Sequence, residues 1–265
     1  MRTALVTGST DGIGEQTARE LARAGLRVIV HGRDAEKTEV TRAVLARELP
    51  HATLDSVVFD FEDLDAVRLG AERLLRKYPE LHILVNNAGI YALETLKTAR
   101  GIELTFQVNY LAPFLLTQLM LPSLARGAPS RIVNVSSMAH AVVPLDLEKT
   151  ARGEGFGTRE AYSRSKLANL LFTRSLSKRL RGSGVTVNAL HPGMVSTKLL
   201  EEGFGGTGVP LARGAKTSTF LALAPELAAV TGKYFMNGRA IAPHPVALDD
   251  TAAEQLWRFS ESLLR

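Results

Sequence analysis

Short apolar runs alternate along the chain with longer segments whose apolar residues recur at helical spacing. The run TALVT is followed by a glycine-rich turn and by EQTARELARAG, where Ala and Leu recur at helical spacing up to Gly25. The apolar runs RVIVHG, SVVFD and HILVN follow, and charged helical segments separate them. This alternation predicts repeated strand–helix–strand units and a parallel sheet.

The second half continues the pattern with a long apolar helix over 103–124, a strand RIVNVSS, a helix at 160–171 and a strand VTVNAL. Pro113 inside the long helix predicts a kink or a local break. No proline-rich linker, long charge block or low-complexity segment divides the chain. We therefore expect one α/β domain over 1–265, a doubly wound, Rossmann-type parallel sheet flanked by helices.

Composition excludes several classes of function. The net charge of +5 invites a polyanion, but the basic residues are dispersed among acidic ones, so we expect solvated helix faces and no nucleic-acid partner. The absence of cysteine excludes disulfides, thiolate catalysis and Cys-ligated zinc. The histidines and carboxylates form no metal-binding spacing, so we expect no metal.

Targeting signals are also lacking in the pattern. No apolar run reaches the roughly 18 to 20 residues that a membrane span requires. The start of the chain meets glycine and polar residues too early for a secretory signal. We therefore expect no membrane span and a cytoplasmic location.

Chemistry-bearing residues follow the predicted strands at their carboxyl ends. GSTDGIG follows the first strand, Asp60 the third, NNAG the fourth, a serine pair the fifth and HPG the sixth. The carboxyl ends of parallel strands lie at one edge of the sheet, where ligands bind in folds of this class. We therefore expect these residues to share a site.

Gly8, Gly12 and Gly14 lie between the first strand and the first helix. Glycines there let the backbone turn sharply and approach a pyrophosphate at the helix N-terminus. The spacing is G-x-x-x-G-x-G, not the commoner G-x-G-x-x-G. Such a cluster alone can be a purely structural turn, but at the start of a doubly wound sheet it favours a dinucleotide.

The end of the second strand distinguishes the two nicotinamide coenzymes. Gly32 stands where a carboxylate would bind the ribose 2′-hydroxyl of NAD, and Arg33 follows it. A guanidinium suits a 2′-phosphate, so the sequence favours NADP, with NAD as the alternative. Asp34 and Asp11 count against a phosphate, and Arg33 could instead be a solvated loop charge.

Four motifs now stand in order: T-G-x-x-x-G-I-G at 7–14, NNAG at 86–89, Y-x-x-x-K at 162–166 and PG at 192–193. The chain resembles the short-chain dehydrogenase/reductase family over essentially its whole length. Its segments RIVNVSSMAH, AYSRSKLANLLFT and VNALHPGMVSTKL are most similar to the retinol dehydrogenase and protochlorophyllide reductase-like branch. The resemblance implies an oxidoreductase that uses a nicotinamide coenzyme, and the end of the second strand favours NADP(H) for that coenzyme.

The resemblance also implies the residues of the site. Its catalytic set is Asn109, Ser137, Tyr162 and Lys166. Its coenzyme contacts are Gly8, Ser9, Thr10, Asp11, Gly12, Ile13, Gly14, Arg33, Asp60, Phe61, Asn87, Ala88, Gly89, Tyr162, Lys166, Pro192, Gly193, Val195 and Thr197.

A Tyr and a Lys four residues apart lie on one face of a helix. Exchange of a hydride with an alcohol or carbonyl group needs a proton donor or acceptor at the substrate oxygen. A free tyrosine has a pKa of about 10. We expect the Lys166 ammonium and an oxidised nicotinamide to lower the pKa of Tyr162. In the family, Ser137 binds the substrate oxygen, Lys166 also holds the nicotinamide ribose, and Asn109 anchors a water.

Structural alternatives remain open at this stage. Ser136 competes with Ser137 for the catalytic role, Asn109 could cap the kink near Pro113, and Asp60 could cap a helix. His31, His140 and His191 default to structural or surface roles. Loss of Tyr162 or Lys166 would have favoured a nucleotide-sensing regulator without chemistry, but both are present.

The substrate is expected to depend on two variable segments. Residues 138–160 include Val142, Val143 and Leu145, and residues 196–215 include Leu199, Leu200, Phe204 and several glycines that indicate a mobile lid. Their apolar side chains predict a small hydrophobic alcohol or carbonyl substrate. A homodimer is possible, although the segment before Tyr162 could interfere with the helices through which family members associate.

Overall fold

The computed structural model describes residues 1–141 and 145–265. Within them the chain forms eight strands, each following or preceding a helix or a tight turn. The strands are β1 Thr3–Val6, β2 Arg27–Gly32, β3 Leu54–Val58, β4 Ile83–Asn86, β5 Ser130–Val135, β6 Val185–His191, β7 Tyr234–Met236 and β8 Arg239–Ile241.

Ten α-helical segments lie among the described residues. They are α1 Gly12–Arg23, α2 Ala35–Glu48, α3 Leu64–Lys77, α4 Leu104–Phe106, α5 Ala112–Arg126, α6 Leu147–Arg152, α7 Thr158–Arg179, α8 Lys198–Phe204, α9 Leu211–Leu223 and α10 Asp250–Leu263. Short 3₁₀ turns at Met138–Ala141, Pro225–Leu227 and Pro245–Leu248 complete the ends of loops.

The strands form one sheet in the order β3-β2-β1-β4-β5-β6-β7-β8. The first seven are parallel, and the predicted α/β class with its mostly parallel sheet is confirmed. The chain crosses from β3 at one edge to β4 beside β1, so the direction of winding reverses between β1 and β4. A crevice at that point is where ligands bind in this class of sheet.

The last strand departs from the parallel pattern of the other seven. β8 pairs antiparallel to β7 through Asn237 and Gly238, whose φ values are 52° and 73°. An Asn-Gly pair suits this tight hairpin because both positions need positive φ. The two strands have three residues each, too short for an apolar alternation to be visible in the sequence.

Helices cover both faces of the sheet, and apolar strand residues alternate between them. Ala4 and Val6 face the layer that contains α1, α2 and α9. Leu5 faces the opposite layer, which contains α3, α5, α7 and α10. Both layers are buried, which is why the central strands read as continuous apolar runs.

The predicted long helix is interrupted where Pro113 predicted a break. A π-helical segment, Gln107–Leu111, separates α4 from α5, and Pro113 lies in the first turn of α5. Proline has no amide hydrogen to donate to the preceding helical turn. The extra residue of the π turn changes the hydrogen-bonding pattern at this point and accommodates Pro113. A second proline, Pro122, lies inside α5.

The same stretch is the one part of the described chain whose length and apolar character would allow a membrane span. It runs from Leu104 to Arg126, with a mean hydropathy of 1.2 over its most apolar window. In this fold 72% of that window is buried in the protein, and a core helix has the same character.

Candidate active site

The glycine turn between β1 and α1 is stapled to the loop that follows β4. The Thr7 hydroxyl accepts hydrogen bonds from the amides of Asn87 and Ala88, both at 3.0 Å. The Asn87 side chain donates to the carbonyls of Thr7 at 2.9 Å and Gly8 at 3.1 Å. Two motifs 80 residues apart in sequence therefore form one rigid unit at the switch point.

Two glycines of this unit leave no space for a side chain. A Cβ on Gly8, whose φ is +61°, would lie 2.8 Å from the Cα of Ala88. A Cβ on Gly14 would lie 2.2 Å from the carbonyl oxygen of Gly8 and 2.3 Å from Nδ2 of Asn87. The turn therefore brings backbone to backbone, with the N-terminus of α1 at the rim of the sheet.

His31, in β2, holds the glycine turn through a hydrogen bond to its backbone. Its Nδ1 accepts the amide hydrogen of Gly8 at 3.1 Å, so the ring hydrogen is on Nε2 and is donated to the carbonyl of Phe59 at 3.1 Å. Burial lowers the pKa of His31 to about 4, which keeps the ring neutral. The structural role favoured by the sequence is the one the structure gives it.

The carboxylate of Asp11, at the N-terminus of α1, faces two lysines. Asp11 caps α1 by accepting the amide of Gly12 at 2.7 Å. Its other oxygen faces Lys37 at 3.4 Å and Lys198, in α8, at 3.5 Å. Ser9 is buried and donates to the carbonyl of Val6 at 2.8 Å, so its hydroxyl holds the turn.

The space at Gly32 is already filled. A Cβ there would lie 2.4 Å from Oγ1 of Thr38 and 2.6 Å from Cγ2 of Thr10. Arg33 is exposed beside it and donates to Glu62 at 3.2 Å. Lys37, in the first turn of α2, was not among the residues predicted from the sequence. It adds a second cation to this end of β2.

Asp60 and Phe61 lie just after β3. Asp60 does not cap α3, because that position belongs to Asp63; Asp60 instead accepts the amide of Glu62 at 3.0 Å. The Phe61 ring is buried 5.2 Å from the ring of His31, and its carbonyl accepts Gln107 at 3.1 Å. Phe61 therefore faces the core and offers a coenzyme little of its side chain.

Tyr162 and Lys166 lie on one buried face of α7, as their spacing predicted. The Lys166 ammonium is 5.4 Å from the centroid of the Tyr162 ring and donates to the carbonyl of Val135 at 3.2 Å. Gly89 brings the NNAG loop alongside, because a Cβ on it would lie 3.4 Å from Nζ of Lys166. The strand ends of β4 and β5 and the helix α7 therefore meet at these two side chains.

Burial sets the protonation of this pair. It raises the pKa of Tyr162 to about 12, against a smaller lowering by the hydrogen bond with Ser137. It lowers the pKa of Lys166 to about 8. The lowering expected from Lys166 and an oxidised nicotinamide together concerns the coenzyme complex; in the protein alone, desolvation is the largest influence on the pKa of Tyr162. At neutral pH Tyr162 is a phenol with a proton to donate.

The two adjacent serines point to different places. Ser136 is buried and donates to the carbonyl of Lys166 at 2.7 Å, so its hydroxyl fixes α7. Ser137 is half-buried, accepts the amide of Ala139 at 3.2 Å and lies close enough to Tyr162 for its side chain to lower the pKa of that phenol. The geometry thus joins Ser137, not Ser136, to the tyrosine.

Asn109 lies in the π-helical segment and does not cap a helix end. Its Oδ1 accepts the amide of Ile90 at 2.7 Å, and its Nδ2 donates to the carbonyl of Ile90 and to Ser165, both at 3.0 Å. Its own carbonyl accepts Asn169 at 3.1 Å. The side chain therefore connects the loop after β4 to α7.

An aromatic cluster covers Tyr162. The ring of Tyr91 is 5.5 Å from that of Tyr162, and Phe204 lies 5.7 Å from Tyr162 and 5.1 Å from Tyr91. Gly203 faces the Tyr91 ring so closely that a Cβ would be 2.7 Å from its Cγ. Tyr91 was not predicted from the sequence, because nothing local marks it; only the fold brings it to the tyrosine.

The loop after β6 completes the rim. Val195 is buried beneath it, and the Thr197 hydroxyl caps α8 by accepting the amide of Leu200 at 3.2 Å. Thr197 also lies over the glycine turn, 3.5 Å from a Cβ on Gly12. Pro192 and Gly193 lead into this segment, and Gly193 has a φ of +93°.

The segment before Tyr162 is described in part. Leu145 and α6 are described, whereas Val142 and Val143, on which the apolar prediction partly rested, lie outside the described residues. Across residues 1–141 and 145–265 no group of three or more His, Cys, Asp or Glu side chains could hold a metal ion.

The arrangement defines a class: a doubly wound sheet with a glycine-rich turn at its switch point and a Ser, Tyr and Lys gathered beside it. A family model described as short chain dehydrogenase matches residues 2–204. The chain belongs to the short-chain dehydrogenase/reductase family and is an oxidoreductase of CH–OH or C=O groups with a nicotinamide coenzyme.

Relatives place the chain further within the family. It is 40% identical to retinol dehydrogenase 13 of Homo sapiens, over 99% of this chain and 84% of that protein. It is 39% identical to retinol dehydrogenase 12 of Mus musculus, over 98% of this chain and 85% of that protein. The resemblance to the retinol dehydrogenase-like branch is confirmed.

Solved structures share the architecture. An uncharacterized protein from Mycobacterium Paratuberculosis superposes with a TM-score of 0.83 at 33% identity, over all of this chain and 93% of that one. A gluconate 5-dehydrogenase from Burkholderia cenocepacia J2315, solved with NADP and tartrate, has a TM-score of 0.72 at 24% identity, over 88% and 92% of the two chains. The second likeness concerns the fold alone.

Proposed function

We propose that the protein is an NADP(H)-dependent oxidoreductase of hydrophobic alcohols and carbonyl compounds, with Tyr162 as the general acid and base. The observation that carries the proposal is the set of side chains around Tyr162: it lies beside Ser137 and Lys166 and is covered by the rings of Tyr91 and Phe204. A buried phenol with a hydroxyl neighbour suits proton exchange at a substrate oxygen.

Each residue around Tyr162 has its own part in the proposed proton transfer. In the direction of reduction, Tyr162 donates its proton to the oxygen of the carbonyl group while Ser137 donates a hydrogen bond to the same oxygen. Lys166, whose pKa of about 8 lies near neutrality, supplies a positive charge that stabilises the resulting phenolate. Asn109 fixes the loop beside them. When bound, the nicotinamide supplies or takes the hydride.

The glycine turn fits a dinucleotide. Gly8 and Gly14 exclude side chains from the turn, and the first amides of α1 point to the rim, as a pyrophosphate requires. Asp11 brings a carboxylate there, but Lys37 and Lys198 balance it. Asn87, Gly89 and Thr197 border the same crevice and would contact the coenzyme.

The preference for NADP rests on the end of β2. Thr10 and Thr38 fill the space where NAD-dependent enzymes of this architecture place a carboxylate, so this end lacks the acceptor for a 2′-hydroxyl. Arg33 and Lys37 supply cations for a 2′-phosphate, and each now neutralises one carboxylate that the phosphate would replace.

The hydrophobic substrate is supported by the entrance to the site. Tyr91 and Phe204 flank Tyr162, and the loops after β4, β5 and β6 carry the exposed apolar side chains of Leu93, Met138 and Met194. The relatives named as retinol dehydrogenases support a substrate of this character. We infer a compound whose apolar body lies against these side chains with its oxygen at Tyr162.

Tyr162→Phe tests the chemistry. The variant keeps the ring packing but loses the proton, so kcat should fall on the order of 10²- to 10⁴-fold in NADPH oxidation with aldehydes and ketones. The Kd for NADPH should change little. Tyr78→Phe, a buried tyrosine in the core beyond α3, is the control and should keep the wild-type rate. Wild-type turnover in Tyr162→Phe would exclude the proposed role.

Arg33→Ala tests the coenzyme preference. A charge-assisted hydrogen bond contributes about 1.5–3 kcal/mol, and Arg33 is exposed, so the KM for NADPH should rise about tenfold or more while that for NADH stays constant. Arg181→Ala, exposed before β6 at the opposite edge of the sheet, is the control. Equal effects on NADPH and NADH would contradict recognition of the 2′-phosphate.

A further inference from the structure

The loop that carries Ser137 is held by a histidine outside the catalytic motifs. Ser137 opens the turn Met138–Ala141, and its carbonyl accepts a hydrogen bond from Nδ1 of His140 at 2.7 Å. The other ring nitrogen, Nε2, accepts the amide hydrogen of His244 at 3.1 Å. One imidazole therefore connects the backbone of Ser137 to the segment that follows β8.

These partners define the tautomer of His140. A backbone amide can only donate, so Nε2 must carry the lone pair. The hydrogen of the neutral ring is then on Nδ1, where it is donated to the Ser137 carbonyl. The opposite tautomer would set two hydrogens against each other at His244 and two lone pairs against each other at Ser137. Only one protonation state satisfies both contacts.

The ring is also fixed by packing. His140 is 4% exposed, and its ring meets that of Tyr234, in β7, edge to face with centroids 5.2 Å apart. Burial lowers the pKa of His140 below its usual value, which favours the neutral form that the geometry requires. On the neighbouring strand, Nδ1 of His191 accepts the amide of Met138 at 3.4 Å and holds the next residue of the loop.

We propose that His140, as the Nδ1–H tautomer, is a positioning residue that holds the Ser137 backbone so that its hydroxyl stays in contact with Tyr162. This proposal rests on the proposed function of Ser137. His140 acts through Ser137 and does not touch the substrate. Through the same ring the segment at His244 is tied to the site, although more than 100 residues separate them in sequence.

Two isosteric substitutions separate the two hydrogen bonds. The amide of Asn reaches the place of Nδ1, so His140→Asn keeps the donor to Ser137 and loses the acceptor for His244. The amide of Gln reaches the place of Nε2, so His140→Gln does the reverse. We expect kcat to fall about tenfold or more in His140→Gln and in His140→Ala, since a donor to the Ser137 carbonyl is lost, and only a few-fold in His140→Asn. The Kd for NADPH should be unchanged in all three.

Equal losses of kcat in the Asn and Gln variants, in proportion to their loss of thermal stability, would show a merely structural role and overturn the proposal. So would an unchanged kcat in His140→Gln. Tyr162→Phe is measured in parallel, because its failure to lower kcat would remove the proposed function and not the contacts of His140.

A readout without turnover completes the test. Imidazole ¹⁵N NMR of the wild-type protein at pH 7, with the His140 resonances assigned through the Asn variant or, if that does not fold, through the Gln variant, should show a protonated Nδ1 and an unprotonated Nε2. A protonated Nε2 in the folded protein would overturn the assignment whether or not a substrate has been found.

Discussion

Gly14→Ala should be among the most damaging single-methyl changes in the protein. The added Cβ would lie 2.2 Å from the carbonyl oxygen of Gly8 and 2.3 Å from Nδ2 of Asn87. Neither neighbour is the free end of a flexible chain. The carbonyl belongs to the turn itself, and the amide group is held by its hydrogen bonds to Thr7 and Gly8.

The magnitude follows from these contacts. Overpacking of a tight interior costs about 1–3 kcal/mol. Displacing Asn87 also weakens two hydrogen bonds, each of which contributes about 0.5–1.5 kcal/mol. The free energy of unfolding should therefore fall by roughly 2–6 kcal/mol. Because the turn must move to admit the methyl, NADPH affinity should fall as well.

Urea denaturation followed by far-UV circular dichroism, and a coenzyme titration by NADPH fluorescence, measure both effects. Gly157→Ala is the matched control, since no atom lies within 4 Å of its Cβ position and its φ of −93° suits alanine. It should change stability by less than about 1 kcal/mol. If Gly14→Ala behaved like this control, the close approach of turn, helix and Asn87 would be refuted.

Three further predictions follow from buried polar groups. The pKa of His31 is about 4 in the folded protein and 6.5 in an exposed imidazole, so the unfolded chain takes up its proton first as the pH falls. The free energy of unfolding should therefore drop by roughly 3 kcal/mol between pH 6.5 and pH 4. Urea titrations at each pH should show a flatter slope for His31→Gln. Asn134→Ala should cost about 1–3 kcal/mol in the same assay, because it leaves Asn86 Nδ2 and the Thr173 hydroxyl with fewer partners; an unchanged midpoint would contradict this. Ser137→Ala should lower kcat without lowering the melting temperature, whereas Ser136→Ala should do the opposite, and a reversal would exchange their roles.

The main features of the fold could be read from the sequence because parallel strands buried on both faces are apolar throughout. All six predicted strands are present, and the break expected at Pro113 is a π-helical segment. β7 and β8 escaped the prediction because three residues are too few to show a period. The Asn-Gly pair at 237–238 was the local signal that could have disclosed their hairpin.

Some residues of the candidate site could likewise be predicted from the sequence, and others could not. Tyr162 and Lys166 lie together because helical spacing alone ensures it, and the glycine turn follows from backbone constraints. Tyr91 and Lys37 reach the site only through tertiary contacts, so no window of sequence marks them. His140 lies three residues after Ser137, but its contact with His244 depends on the fold. Burial raises the pKa of Tyr162 in the protein alone, and helical spacing could not predict that influence, since burial is a property of the fold.

The β7–β8 hairpin at the end of the sheet also limits the association of edge strands between molecules. An open sheet exposes unpaired amides and carbonyls along each outermost strand, and such a border can recruit another chain. Here the border at β8 offers only three residues, led by the exposed Arg239, and the border at β3 presents Asp55 and Ser56. Short, charged borders of this kind resist edge-to-edge aggregation while the interior strands stay apolar.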